Sequence, residues 1–230
     1  MKKIFGLTAV LFFVLSNLNA QSDQKFHFGL KAAPSLAWLK TDSKGVSSEG
    51  TKLGFSYGLI TEFNFGEHYA FATGVDVSYR GGKLKSTFST TDASSSLVTT
   101  TVATYAYNLE YIELPLTLKF KTNEIGYLTY YLQAGVAPGI NIRAKADVTT
   151  STQVTGYPII NSAEDNVDVK DGINNLNLSM ILGGGVEYTL SGSTVLLAGI
   201  TFSNGFMDVA DGDEIKANSN FLALTIGVLF

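Results

Sequence analysis

Apolar and polar side chains alternate with a period of two along most of the chain, the mark of β-strands whose side chains go to opposite faces. The stretch Asn220 to Phe230 shows it most cleanly. Phe230, Val228, Ile226, Leu224 and Leu222 form one wholly apolar row, while Leu229, Gly227, Thr225, Ala223 and Phe221 form a smaller, mixed one. The same alternation predicts strands over 26–39, 52–65 and 69–80, a fourth ending in 111–120, then 127–145, 173–190 and 194–206. With the terminal strand this makes about eight.

The connections alternate in length. Polar stretches at 41–51, 81–101, 147–172 and 207–216 are long, whereas 66–68 and 191–193 are tight turns. Such an arrangement predicts an all-β, antiparallel, up-and-down barrel with its short turns at one end, and the outer parts of 81–101 are expected to lengthen the neighbouring strands. Two local features stand out in the fourth strand. Tyr105, Tyr107 and Leu109 alternate in the opposite phase to Ile112, Leu114, Leu116, Leu118 and Phe120, which predicts a β-bulge near Leu109 to Tyr111. Pro115 has no N–H to give to a ladder and is out of place in a central strand.

Which row faces inward decides the solvent. An eight-stranded barrel is only just wide enough for side chains to fill it. Phe, Leu and Ile on every strand would overfill that space, whereas the opposite rows are rich in Gly, Ala and Ser. The bulky rows are therefore expected outside, against lipid, and a tilted strand of roughly 9–11 residues crosses a bilayer. Aromatic residues sort toward the two ends as girdles would: Phe26, Phe28, Phe63, Phe65, Tyr69, Phe71, Phe120, Tyr127, Tyr130, Tyr188 and Phe230 at the end bearing the turns, Trp38, Tyr79, Tyr105, Tyr107 and Phe206 at the other.

Composition agrees. The 230 residues include 23 Gly, 15 Phe and 11 Tyr, with 4 Pro and no Cys, and charged residues are 16%, below the ~25% of soluble domains. Residues 1–20 read as a secretory signal peptide: Lys2 and Lys3, an apolar run from Ile4 to Leu15, and Ala20 before the expected cut. The domain then spans 21–230. Without Lys2 and Lys3 the basic count falls from 16 to 14 against 20 acidic residues, a charge of −6 that offers no footprint for nucleic acid. After residue 20 no apolar run approaches the ~18 residues of a membrane helix.

The inward row carries Lys31, Glu62, Asp76, Arg80, Glu113, Lys119, Arg143 and Glu187. Buried charges of both signs must pair or meet water. They predict a salt-bridged plug in preference to a polar pathway. His27 and His68 both fall at the turn end, away from the outer rim where a surface hydrolase would need them, so no catalysis is expected. Glu164, Asp165, Asp168 and Asp171, like Asp208, Asp211, Asp213 and Glu214, lack the spacing of a calcium loop and read as solvated loops, so no metal or cofactor is expected. Lys83 and Lys85 could touch lipopolysaccharide phosphates, but ordinary surface solvation is the expected role.

The terminal strand, closing on Phe230, resembles the last strand of Gram-negative outer-membrane barrels, where that end is the assembly signal read by the barrel-assembly machinery. The stretch Tyr111-Ile-Glu-Leu-Pro-Leu-Thr-Leu-Lys-Phe120, with Phe28-Gly-Leu-Lys-Ala-Ala33 near the start, resembles the outer-membrane β-barrel domain family that includes the PorT-like proteins. The resemblance covers residues 21–230 and is most specific at Glu113-Leu114-Pro115. It implies an eight-stranded barrel, and the alternation of short turns with long loops fits an outer-membrane placement with both termini periplasmic, in contact with outer-membrane lipid and lipopolysaccharide. The expected role is structural or interaction-based, with long loops presented outside. The alternatives are a part in protein secretion or envelope assembly, with partners there, or a narrow small-solute channel.

Overall fold

The computed structural model describes residues 25–91, 97–210 and 216–230. The proposed signal peptide, and Asp211, Asp213 and Glu214, lie outside them. Eleven strands follow one another: β1 (Phe26–Thr41), β2 (Val46–Ser48), β3 (Lys52–Asn64), β4 (Tyr69–Thr91), β5 (Val98–Glu113), β6 (Leu116–Lys121), β7 (Leu128–Val154), β8 (Ile160–Asp168), β9 (Leu176–Ser191), β10 (Thr194–Asp208) and β11 (Ala217–Leu229). Every pairing is antiparallel.

The sheet closes on itself. Its path runs β4-β3-β1-β11-β10-β9-β7-β5, and β5 pairs back to β4. Closure leaves the wall no free edge. Phe230 finishes the β1–β11 seam by exchanging backbone hydrogen bonds with Phe28 at 2.8 and 3.2 Å.

Eight walls emerge from eleven strands because β5 and β6 are one wall. Asp76 faces Glu113 and Thr73 faces Leu116 in a single register, so the interruption is confined to Leu114 and Pro115. Pro115 thus sits where the ladder is already broken, while the Leu114 N–H is satisfied by the Pro138 carbonyl at 2.9 Å. The short strands β2 and β8 add to β4 and β7 beyond the barrel.

One expectation about the long connections changes. Residues 147–154 belong to β7, and β8 folds back on them, so the predicted loop 147–172 is largely a hairpin. Together β2, β4, β5, β7 and β8 raise a five-stranded sheet above the barrel. Its Thr-rich runs favour extended backbone but are polar on both faces, which hid them from a hydrophobic pattern.

The bulge is real but lies on the neighbouring strand. Glu110 faces Arg143 and Tyr111 faces Asn141, leaving Ile142 of β7 as the extra residue. β5 runs through with unbroken alternation. Leu109 and Tyr111 are buried inside, and Tyr107 packs against them. Tyr105 stacks on Tyr107 along the same face, so neither tyrosine joins the outer girdle.

The predicted inversion of faces is present. Phe28, Leu30, Leu59, Leu132, Ile140, Ile200, Leu224 and Ile226 are exposed on the outside, while Ala33, Ala37, Ala72, Ala137 and Ala223 are buried within. A soluble barrel has the reverse. Aromatic pairs ring the turn end, with Phe26–Phe63, Phe28–Phe230, Tyr69–Phe120 and Tyr127–Tyr188 at 5.1–6.0 Å between centroids. Trp38–Phe202 and Tyr57–Tyr79, both at 6.3 Å, stand toward the other end. With backbone groups closed into a ladder and apolar side chains outward, the chain is a transmembrane β-barrel.

Candidate functional site

The lumen is the candidate site, and it is filled in layers. Nearest the turn end, Lys119 of β6 is held between Glu62 of β3 and Glu187 of β9. Lys121, two residues along the same inward row, pairs with the same two carboxylates at 2.8 and 3.0 Å. Two cations and two anions therefore neutralise one another across the bore, with Lys119 and Glu62 fully buried. The apolar row of this strand ends at Phe120 and so hides Lys121, although Lys121 shares the phase of Lys119.

Tyr131 of β7 roofs this layer, with the Lys119 ammonium 4.0 Å from its ring centroid, a cation–π contact that adds to the ion pairs. Glycines make room for it. A Cβ on Gly199 would lie 2.3 Å from the Tyr131 hydroxyl, and one on Gly185 would lie 2.8 Å away. Gly199→Val is expected to destabilise the barrel by about 1–3 kcal/mol through overpacking, read as a lower urea midpoint; Tyr131→Phe in the same background should recover part of it.

Farther along, Lys31 of β1 meets Asp76 of β4 at 2.7 Å. Arg80 of β4 lies 2.9 Å from Glu113 of β5, but the N–H bonds point away from the oxygen, making this an electrostatic contact without a directed hydrogen bond. The guanidinium instead lies over Tyr111 at 4.3 Å and near Phe221 at 5.4 Å. Beyond Arg80 an apolar layer of Leu39, Leu84, Leu109, Ile173, Val209 and neighbouring alanines fills the bore.

Seven of the eight expected inward charges thus point inward and pair. Arg143 does not. The extra residue at Ile142 reverses the phase of β7, so Arg143 faces outward, its side chain 61% exposed, and meets Glu110 at 3.2 Å on the outer surface. A bulge on one strand leaves no mark in the alternation of its partner, and only the pairing reveals it.

Two spaces remain. A cavity of about 70 Å³ lies between Tyr131 and Phe221, lined by Lys31, Asp76, Glu113 and Gln133 among others. A vestibule of about 1170 Å³ lies at the turn end, bounded by His27, Asn64, Lys121 and Glu187. His27 Nδ1 sits 3.2 Å from the Asn64 amide nitrogen, and the His68 carbonyl accepts the Lys121 N–H at 2.8 Å. Glu164, Asp165 and Asp168 lie along the exposed β8, and Asp171 sits in the short 3-10 turn that follows.

Solved barrels resemble this one at low identity. Neisserial surface protein A is 16% identical with a TM-score of 0.48, over 90% of this chain and 96% of that one. OprG from Pseudomonas aeruginosa is 11% identical with a TM-score of 0.40, over 89% and 95%. Ail, the attachment invasion locus protein of Yersinia pestis, is 12% identical with a TM-score of 0.37, over 90% and 100%. No curated protein matches the chain. The outer membrane protein beta-barrel domain matches residues 19–211, most of the chain, which therefore belongs to that family.

Proposed function

We propose that the protein is a sealed outer-membrane barrel without catalysis, which anchors an extracellular β-sheet and presents it to the surroundings. The observation that carries this reading is the double closure of the lumen, by the Glu62–Lys119–Glu187–Lys121 network at one level and the Leu39–Leu84–Leu109 layer at another. Neutralised charges and close-packed apolar side chains leave no continuous polar lining between the vestibule and the far end. The short turns and both termini are periplasmic, and the sheet built from β2, β4, β5, β7 and β8 stands outside the cell. Its outer face, with Thr87, Ser89, Thr100, Thr149 and Gln153, is a polar surface suited to hydrogen-bonded contact rather than apolar docking.

The chain has no cysteine, so single cysteines can be placed on a clean background. Ser89→Cys in the raised sheet and Ser193→Cys in a tight turn report opposite sides of the membrane. In intact cells, a membrane-impermeant maleimide is expected to label position 89 and to spare position 193 until the envelope is broken. The converse pattern would invert the orientation, and equal labelling of both would contradict a barrel embedded in the outer membrane.

A further inference from the structure

The outer surface changes from apolar to charged within one row of the sheet. Val77, Ile112 and Ile140 form an outward row across β4, β5 and β7, and the next outward row is Tyr79, Glu110 and Arg143. Above it come Gly81, Asn108 and Lys145, then Lys83, Ala106 and Asp147, then Lys85, Thr104 and Thr149. The bulge at Ile142 creates this collar, because it turns Arg143 and Lys145 outward while Ala144 and Ala146 become buried.

β3 contributes from the side. Its pairing with β4 ends at Phe55 and Tyr79, and Lys52 reaches over Gly81 to the Asn108 side-chain oxygen at 2.5 Å. Between them lies a hollow of about 100 Å³, lined by Lys52, Leu53, Tyr79, Asn108 and Glu110. The carboxylates nearby are held in place, and Asp147 also attracts the Lys52 ammonium. Glu110 pairs with Arg143 and Glu49 with Lys85, while Asp147 and Asp168 accept the backbone N–H groups of Asn166 and Lys170. Among the described residues, Lys52, Lys83 and Lys145 take part in no ion pair. The cations are also one-sided, because β9, β10 and β11 contain no Lys or Arg at all.

We propose that this hollow and its collar bind the phosphate group of an outer-leaflet lipid headgroup. The site stands where such a group must lie, immediately above the last apolar row and beside the tyrosines of the upper belt. Lys52, Lys83 and Lys145 supply ammonium groups that close no ion pair among the described residues. Tyr79 and Leu53 offer apolar surface to the sugar or glycerol part, and the acyl chains continue down over Val77, Ile112 and Ile140. A counter-charge is needed on this side alone, which is why general attraction to the membrane surface does not account for the arrangement. The proposal rests on the membrane placement given above.

The test uses the full chain folded in nanodiscs of zwitterionic phosphatidylcholine, titrated with diphosphorylated lipid A, with its dephosphorylated form and with inorganic phosphate. Each lysine near a lipid surface is worth roughly a fivefold change, so Lys52→Ala, Lys83→Ala and Lys145→Ala together are expected to weaken binding of the phosphorylated lipid by about a hundredfold. Lys40→Ala on β1 should leave it unchanged. A heat-shifted band on a gel and the cysteine labelling pattern, both unaltered, show that the barrel and its placement survive in the variants. Equal binding of phosphorylated and dephosphorylated lipid, an unaffected triple variant, or inorganic phosphate competing as tightly as the lipid would each overturn the proposal.

Discussion

Replacing Lys119 with methionine is expected to destabilise the folded barrel by about 3–5 kcal/mol, the largest effect of any single change in the lumen. Removing the ammonium leaves Glu62 and Glu187 facing one another with Lys121 alone to neutralise both. Glu62 is fully buried, so water cannot screen the surplus negative charge. The cation–π contact with Tyr131 is lost as well. Urea unfolding followed by the heat-shifted band measures the loss. Adding Glu62→Gln should restore more than half of it, because the pair that remains, Lys121 with Glu187, is neutral. A loss below about 1 kcal/mol without the second change would mean that the layer is hydrated, as surface pairs are.

The second large effect lies on the opposite face of the wall. Ile200→Arg, in the middle of β10 and 58% exposed, places a guanidinium against hydrocarbon and is expected to cost about 2–4 kcal/mol. The cost should fall with depth. Leu53→Arg, beside the proposed headgroup site, is expected to cost about 0–1 kcal/mol, as near an interface. Unfolding from lipid vesicles gives both numbers. Equal, small costs at the two positions would remove the lipid from the account, because in water an exposed isoleucine is replaced by arginine almost without penalty.

Most of the architecture was legible from two signals, the period of two and the size difference between its rows. An interior that holds Ala33, Ala72 and Gly199 cannot also hold Phe28, Leu30 and Ile200, so the assignment of faces followed from volume. Local pattern failed where pairing between strands decides the outcome. The extra residue at Ile142 belongs to β7, yet the alternation alone points to β5, which has none; it puts Arg143 inside and Tyr105 and Tyr107 outside, and the pairing reverses both. The β7–β8 hairpin is polar on both faces, and nothing in its hydropathy separates a strand from a loop. Lys121 continues the inward row of Lys119, one residue past Phe120, the last apolar residue of the strand. The tendency of an acidic and a basic group to meet was readable; which carboxylate meets which ammonium depends on the stagger of eight strands, and that appears only when the barrel closes.

The sealed lumen is tested most directly by single-channel recording of the full chain, folded to its heat-shifted form, in a planar lipid bilayer. The two closing layers predict a silent barrel in the parent protein. They also predict discrete openings once both are breached, by Glu62→Ala with Lys119→Ala at one level and Leu84→Gly with Leu109→Gly at the other. Stable, discrete conductance from the unaltered protein would contradict the account, and would make Lys31, Asp76, Glu113 and Lys121 the lining of a pore.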